Sequence, residues 1–276
     1  MIKNILCFFI FFWGSNSQST HKGVFIIVHG TWGIDSLWCK PGGEFFDELE
    51  RTAHKMNKRV VSYMWPGYLN HDSRQLAAHG LAKLIKSYPA HMDITIFAHS
   101  HGGNVSIVAS QILASDKTNK HTIEALYTLG TPINHTYYAP DMNVVRRVYN
   151  FFSFADRVQP VLGVFGRMFP DHPRIANIRL MVNGKEPGHL EFCTALAARW
   201  LPRLNQLVKE SIGGFEKFTC SNPGIIHLTI TGSPIYILDT QRNALIDRDE
   251  FIMQKVMSNL LRGKSYDGGS KELFNF

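Results

Sequence analysis

ITIFAHSHGGNV, Ile94 to Val105, is the stretch on which the fold turns. From Ile94 to Phe97 the residues are apolar or β-branched, as in a strand buried on both faces. The run then enters a turn of small and polar residues, with Ser100 between His99 and His101 and ahead of Gly102 and Gly103. Beyond the turn an apolar helical pattern resumes at Val105. Ala98-His99-Ser100-His101-Gly102 fits the strand–turn–helix form G-x-S-x-G, a nucleophile elbow, with alanine for the first glycine. A serine on so sharp a turn needs small residues two positions away, and alanine still meets that need. Gly102 and Gly103 let the helix approach the strand closely. The helix N-terminus aims N–H groups and a partial positive charge at the serine. The same letters also describe a tight turn without chemistry, so the flanking chain must supply the context.

Outward from the turn, strands and helices alternate. GVFIIVHG is a buried strand ending at Gly30. GGEFFDELERTAHKM carries Phe45, Phe46, Leu49, Ala53 and Met56 at helical spacing. RVVSYMWPG is a strand stopped by Pro66-Gly67. The helix DSRQLAAHGLAKLIKSY has Asp72 as its expected N-cap and Leu76, Ala77, Leu81, Leu84 and Ile85 on one face. IEALYTLGTP, VYNFFSFAD and NIRLMVNG are the fourth, fifth and sixth strands, and LEFCTALAARWLPRLNQLVKE is a helix. This order predicts an α/β fold: a mostly parallel sheet of about six strands with helices on both faces. GIIHLTITGSPIYILDT then reads as a hairpin, and RDEFIMQKVMSNLLRG as an amphipathic helix.

Composition bounds the function. Of 276 residues 45% are hydrophobic and 18% charged, enough for a large core. The net charge of +7 comes without a run of five like charges, which argues against a nucleic-acid partner. It leaves contact with a membrane surface open. Lys3, an apolar run from Ile5 to Trp13 and small residues at Ser15 and Ser17 order the N-terminus as a signal peptide over residues 1–17, too short to span a bilayer. The protein is therefore expected to be secreted or periplasmic. Residues 18–276 read as one domain, with 215–276 as a hairpin–helix extension. Cys39, Cys193 and Cys220 follow the leader, an odd number without metal-ligand spacing. One disulfide or free cysteines both fit. No two histidines have H-x-x-x-H spacing, so no metal is expected.

In parallel sheets reactive groups gather at the carboxyl ends of strands. Ser100 ends the third strand. Asp156 follows the fifth, and His189 lies in a Gly/Pro loop between the sixth strand and its helix. The order serine, acid, histidine is one of the known arrangements of a hydrolytic triad. In those roles His189 takes the serine proton and Asp156 fixes the imidazole. Asp156 also reads as a helix cap or a partner of Arg157, and His189 as a cap. Asp141 and Asp171 are rival acids that do not directly follow a strand. The first strand ends in His29-Gly30-Thr31-Trp32, where Gly30 relieves crowding and Thr31 offers an amide to a developing oxyanion; His101 offers the other. His29 is read as a core histidine.

With VHGTW, YMWPG, SRQLAAHGLAKLI, AHSHGGNV, TLGTPI, FADRV and GHLEF in place, from Val24 to about Glu191, the chain resembles the α/β-hydrolase superfamily, most of all compact bacterial lipases and esterases. The resemblance implies Ser100, Asp156 and His189 as the triad and Thr31 and His101 as oxyanion donors. It implies that Thr131, Pro132 and Ile133 line the acyl pocket, with Trp32 among the substrate-binding residues. It implies no cofactor. VQPVLGVFGRMFP, after Asp156, reads as a pocket wall, a lid or a packed surface helix. The expected activity is cleavage of a carboxylic ester, of a small molecule or a lipid, through an acyl-enzyme. Thioesters and amides share that chemistry, and a non-catalytic binding protein on the same scaffold is the rival from another class.

Overall fold

The computed structural model describes residues 21–134, 136–159, 166–212, 218–220, 223–228, 236–239 and 244–246. The leader read at 1–17, the helix read at 248–263 and residues 160–165 of the apolar segment after Asp156 lie outside the described residues.

The strands are β1 (Gly23–Val28), β2 (Lys58–Tyr63), β3 (Asp93–His99), β4 (Ala125–Leu129), β5 (Val148–Phe152), β6 (Ile175–Val182), β7 (Gly224–Leu228), β8 (Tyr236–Asp239) and β9 (Ala244–Ile246). They form one sheet in the order β2-β1-β3-β4-β5-β6-β7-β8-β9. The first seven in chain order are parallel, one more than the sequence suggests. GIIHL does begin a hairpin, since β7 pairs antiparallel with β8. The same strand also joins β6 in parallel and extends the main sheet.

Among the described residues four helices cover the sheet: α1 (Glu44–Lys55), α2 (His71–Lys86), α3 (His101–Ser115) and α4 (Ala195–Ile212). Strand alternation assigns them to faces. Phe25 and Ile27 of β1 join Phe97 of β3 and Tyr127 of β4 in a core closed by Phe45 and Leu49 of α1 and Leu201 of α4. Val24, Ile26 and Val28 point the other way, to Ala78 and Leu81 of α2 and Val108 of α3. Phe97 meets Phe25 edge-on at 5.3 Å and stacks on Tyr127 at 4.6 Å. Such ring pairs contribute about 0.5–1.5 kcal/mol each beyond their buried area.

The N-cap of α2 is Asn70, whose side chain accepts the Ser73 amide at 2.7 Å, and Asp72 sits inside the first turn. Leu76, expected on the buried face, is 62% exposed. The helix starts earlier than the aspartate suggests, and the face it turns to the core is centred on Ala77, Ala78, Leu81 and Ile85.

Strand order places the site. From β1 the chain leaves in one direction to β2 and returns to β3 on the opposite side. The carboxyl ends of β1 and β3 therefore flank the switch point, where a crevice opens in such sheets. Ser100 and the loop after His29 both stand there.

Candidate active site

Ser100 joins β3 to α3 with φ 53° and ψ −133°. A non-glycine residue rarely adopts this conformation, and the surrounding structure must hold it. Its amide donates to Leu129 O at 2.9 Å, and Gly103 N returns to Ser100 O at 2.9 Å. The neighbours are small because backbone fills the space. A Cβ on Gly102 would stand 2.4 Å from Val28 O, and one on Gly30 would stand 2.6 Å from the Ser100 Cβ. Ala98 is fully buried.

The three distant segments meet. His189 Nε2 lies 2.9 Å from Ser100 Oγ, and its Nδ1 lies 2.8 Å from Asp156 Oδ2. Asp156 is fully buried, and its other oxygen accepts the amides of Val158 at 2.8 Å and Gln159 at 3.1 Å. It thus also caps the turn that follows, one of the alternatives the sequence left open. Arg157 is exposed. Asp156 stands four residues past the end of β5, not directly after it. His189 opens a short 3-10 turn, His189–Phe192. The rival acids are engaged elsewhere, Asp141 with the Asn143 amide and Asp171 with the Cys220 amide.

Three more histidines surround the serine, each with a defined tautomer. His29 is fully buried; its Nε2 accepts the Trp65 amide at 3.2 Å, so Nδ1–H donates to Gly30 O at 2.8 Å. Burial lowers its pKa. His99 donates Nε2–H to the backbone oxygen of His189 at 2.7 Å, and the two rings lie 4.8 Å apart. Burial first, and then the neighbouring His189, push the His99 pKa down to about 4. His101 accepts Asn104 Nδ2 at 2.9 Å through Nδ1, and burial and Arg74 push it down to about 3. All three are neutral near pH 7, which keeps their donors and acceptors fixed.

The amides of Thr31 and His101 donate to no acceptor among the described residues. Trp32 is left-handed at φ 56°, is 75% exposed, and donates its amide to Gly67 O at 2.9 Å. That bond turns the loop back over Gly30 and Ser100. Thr131 and Ile133 are fully buried. The Thr131 hydroxyl is unpartnered and sits where a Gly103 Cβ would be, at 2.1 Å. Pro132 O accepts Asn104 Nδ2 at 3.2 Å, which ties this loop to α3. Cys39 and Cys193 are buried and partly buried, Cys220 is exposed, and all three are free.

Two contacts near the site escape the sequence reading. His99 grips the loop that carries His189. Glu186, three residues before His189, reaches the Asp156 loop. The MVNGKEPGHLEF segment held the signal, a carboxylate at Glu186 directly before the Pro187-Gly188 turn.

The family model for Lipase (class 3) matches residues 26–158, a little under half of the chain, from β1 through the elbow to Asp156. Over that stretch the chain is similar to class 3 lipases. No curated protein matches the chain. Its similar solved structures include a hydrolase of the α/β superfamily from Xanthomonas campestris pv. campestris, at 12% identity and TM-score 0.42, covering 64% of this chain and 94% of that one. A cutinase-like protein from Cryptococcus sp. is 11% identical with TM-score 0.41, covering 72% and 99%. A metagenomic carboxyl esterase is 14% identical with TM-score 0.34, covering 55% and 58%.

Proposed function

We propose that this α/β-hydrolase cleaves carboxylic esters by a serine mechanism, with Ser100 as nucleophile, His189 as base and Asp156 as the acid that orients it. The observation that carries the reading is the hydrogen-bonded run from Ser100 Oγ through His189 to Asp156, 2.9 and 2.8 Å, starting from a serine held in a strained turn. Ser100 Oγ attacks the ester carbonyl carbon while its proton passes to His189 Nε2. Asp156 favours the imidazolium that forms. The carbonyl oxygen becomes an oxyanion, which the amides of Thr31 and His101 stabilise together with the N-terminus of α3. His189 returns the proton to the leaving alcohol. Water, deprotonated by the same imidazole, then releases the acid.

An apolar rim favours a lipid ester. Trp32 and Leu37 after β1, Tyr68 after β2, Tyr137 after β4, Phe154 after β5 and Leu190 after β6 are all more than half exposed. Every one lies on a loop beyond the carboxyl end of a strand, the side on which Ser100 sits. Apolar side chains gathered on one face suit an apolar substrate or a lipid surface. Thr131, Pro132 and Ile133 line the acyl pocket in this reading, with Trp32 at its mouth. The charge–apolar–small order of residues 1–17 assigns the protein to the exported class.

The test is turnover of aryl esters of increasing acyl length and of a phospholipid panel, by wild type and Ser100→Ala. Wild-type turnover that rises with chain length, and a fall in kcat of roughly 10³-fold or more in the variant, is the expected result. Equal activity in the two proteins refutes the serine mechanism. A folded wild type inert to every ester favours thioesters, amides or a non-catalytic binding role.

A further inference from the structure

We infer that Glu186 is a positioning residue that clamps the loop carrying Asp156 to the loop carrying His189. The inference rests on the serine-hydrolase reading above and extends it to a residue that touches neither substrate nor Ser100. The two loops come from different strands, β5 and β6, and no strand pairing fixes them to each other beyond Phe152 and Arg179. Glu186 supplies the missing link. Its Oε2 accepts the amides of Phe154 at 2.5 Å and Ala155 at 3.0 Å and the Ser153 hydroxyl at 3.2 Å. Its Oε1 is paired with Arg179 of β6. The side chain is only 12% exposed, so these bonds form largely out of water and hold their geometry.

Arg167 holds the same segment from its carbonyl side. Arg167 donates Nε–H to Ser153 O and Nη2–H to Asp156 O, both at 2.9 Å. The guanidinium carbons of Arg167 and Arg179 lie 5.6 and 5.1 Å from the centre of the Phe154 ring. Residues 153–156 are thereby gripped through amides, carbonyls and an aromatic face. From Glu186 the chain needs only Pro187 and Gly188 to reach His189, whose backbone oxygen is held by His99. One carboxylate thus sets the distance between the acid and the base. Were it lost, the Phe154 amide, the Ser153 hydroxyl and Arg179 would each lose an acceptor, Ala155 N would keep only Ser153 Oγ, and the two loops could part without breaking any strand pair.

The experiment measures kcat and KM for an aryl ester, and the rate of Ser100 labelling by a fluorophosphonate, in wild type, Glu186→Ala and Glu186→Gln. Misplacing a catalytic group by an ångström costs on the order of 10²-fold. The expected result for Glu186→Ala is a kcat about 100-fold lower with KM within about twofold, and labelling slowed in step. Glutamine keeps an acceptor for the amides but turns N–H towards Arg179, so about a tenth of the wild-type kcat is expected to remain. A merely structural glutamate would lower the melting temperature and leave kcat per folded molecule unchanged. A folded Glu186→Ala with wild-type kcat overturns the inference. If that variant does not fold, Glu186→Gln decides: a kcat at least fivefold lower supports the clamp, and wild-type kcat overturns it. Wild type that neither turns over esters nor takes the label sinks the serine reading itself, a different outcome from either.

Discussion

At the scale of the residue, the site rests on space as much as on chemistry. Ser100 keeps its left-handed backbone where Gly30 leaves room for its Cβ, while Gly102 lets α3 close on β1 and Gly103 makes room for Thr131. Gly102→Ala tests this directly. Its Cβ would meet Val28 O at 2.4 Å and His29 O at 2.5 Å, both main-chain atoms that cannot rotate aside. We predict a loss of roughly 1–3 kcal/mol in urea unfolding, as for other overpacked sites, together with a sharp drop in turnover as α3 is pushed off β1. An unaltered midpoint would contradict the packing described here. Asp156→Asn should lower kcat by about 10⁴-fold, since an amide can donate to His189 and hold the wrong tautomer. Near-normal activity would mean that another group orients the base.

At the scale of the element, buried polar residues tie neighbouring strands across the sheet. Thr128, Asn150 and Asn177 stand in register across β4, β5 and β6, all fully buried. The Thr128 hydroxyl donates to Asn150 Oδ1 at 2.9 Å, and Asn150 Nδ2 donates to Asn177 Oδ1 at 3.0 Å. Asn177 also bonds both the amide and the carbonyl of Phe169, at 2.9 Å each. The ladder holds the segment that follows the Asp156 loop against the sheet. Asn177→Ala would leave those Phe169 groups unpaired inside the protein, and each such orphan costs about 1–3 kcal/mol. A fall of about 3 kcal/mol in unfolding free energy is expected; a change within about 0.5 kcal/mol, the ordinary surface value, would show that the ladder is dispensable. Nothing in the sequence announced it, because Asn150 and Asn177 look like misplaced polar residues until the register aligns them. Continuous apolar runs such as FIIV and ITIF, by contrast, announced buried strands plainly. The N-terminus of α2 was misread for a local reason. Asn70 and Asp72 are both good caps, and only tertiary contact chooses between them.

At the scale of the whole molecule, buried histidines make the fold sensitive to acid. His99 and His227 have pKa values pushed down to about 4 and His101 to about 3, in each case chiefly by burial. Unfolded, each would titrate near 6.5. Between 6.5 and these lower values the unfolded chain binds protons that the folded chain refuses, so stability falls as pH falls through that window. Above 6.5 these histidines contribute no slope. His99 alone accounts for roughly 3 kcal/mol by pH 4. Urea midpoints measured from pH 7.5 to 4.5 should hold level and then decline below about 6.5, and His227→Gln should flatten part of the decline. A midpoint that rises on acidification would contradict the neutral, buried assignment. The distant convergence of Ser100, Asp156 and His189 was legible only as an order of residues at strand ends. Their hydrogen-bonding distances needed the sheet, and the clamp at Glu186 needed the side chains.

The most direct test of the central claim is to treat the folded wild-type protein with a fluorophosphonate and locate the adduct by peptide mass. The account predicts a single adduct, on the peptide containing Ser100, and none in Ser100→Ala. Folded wild-type protein that stays unmodified, or an adduct that persists when Ser100 is replaced, would contradict it.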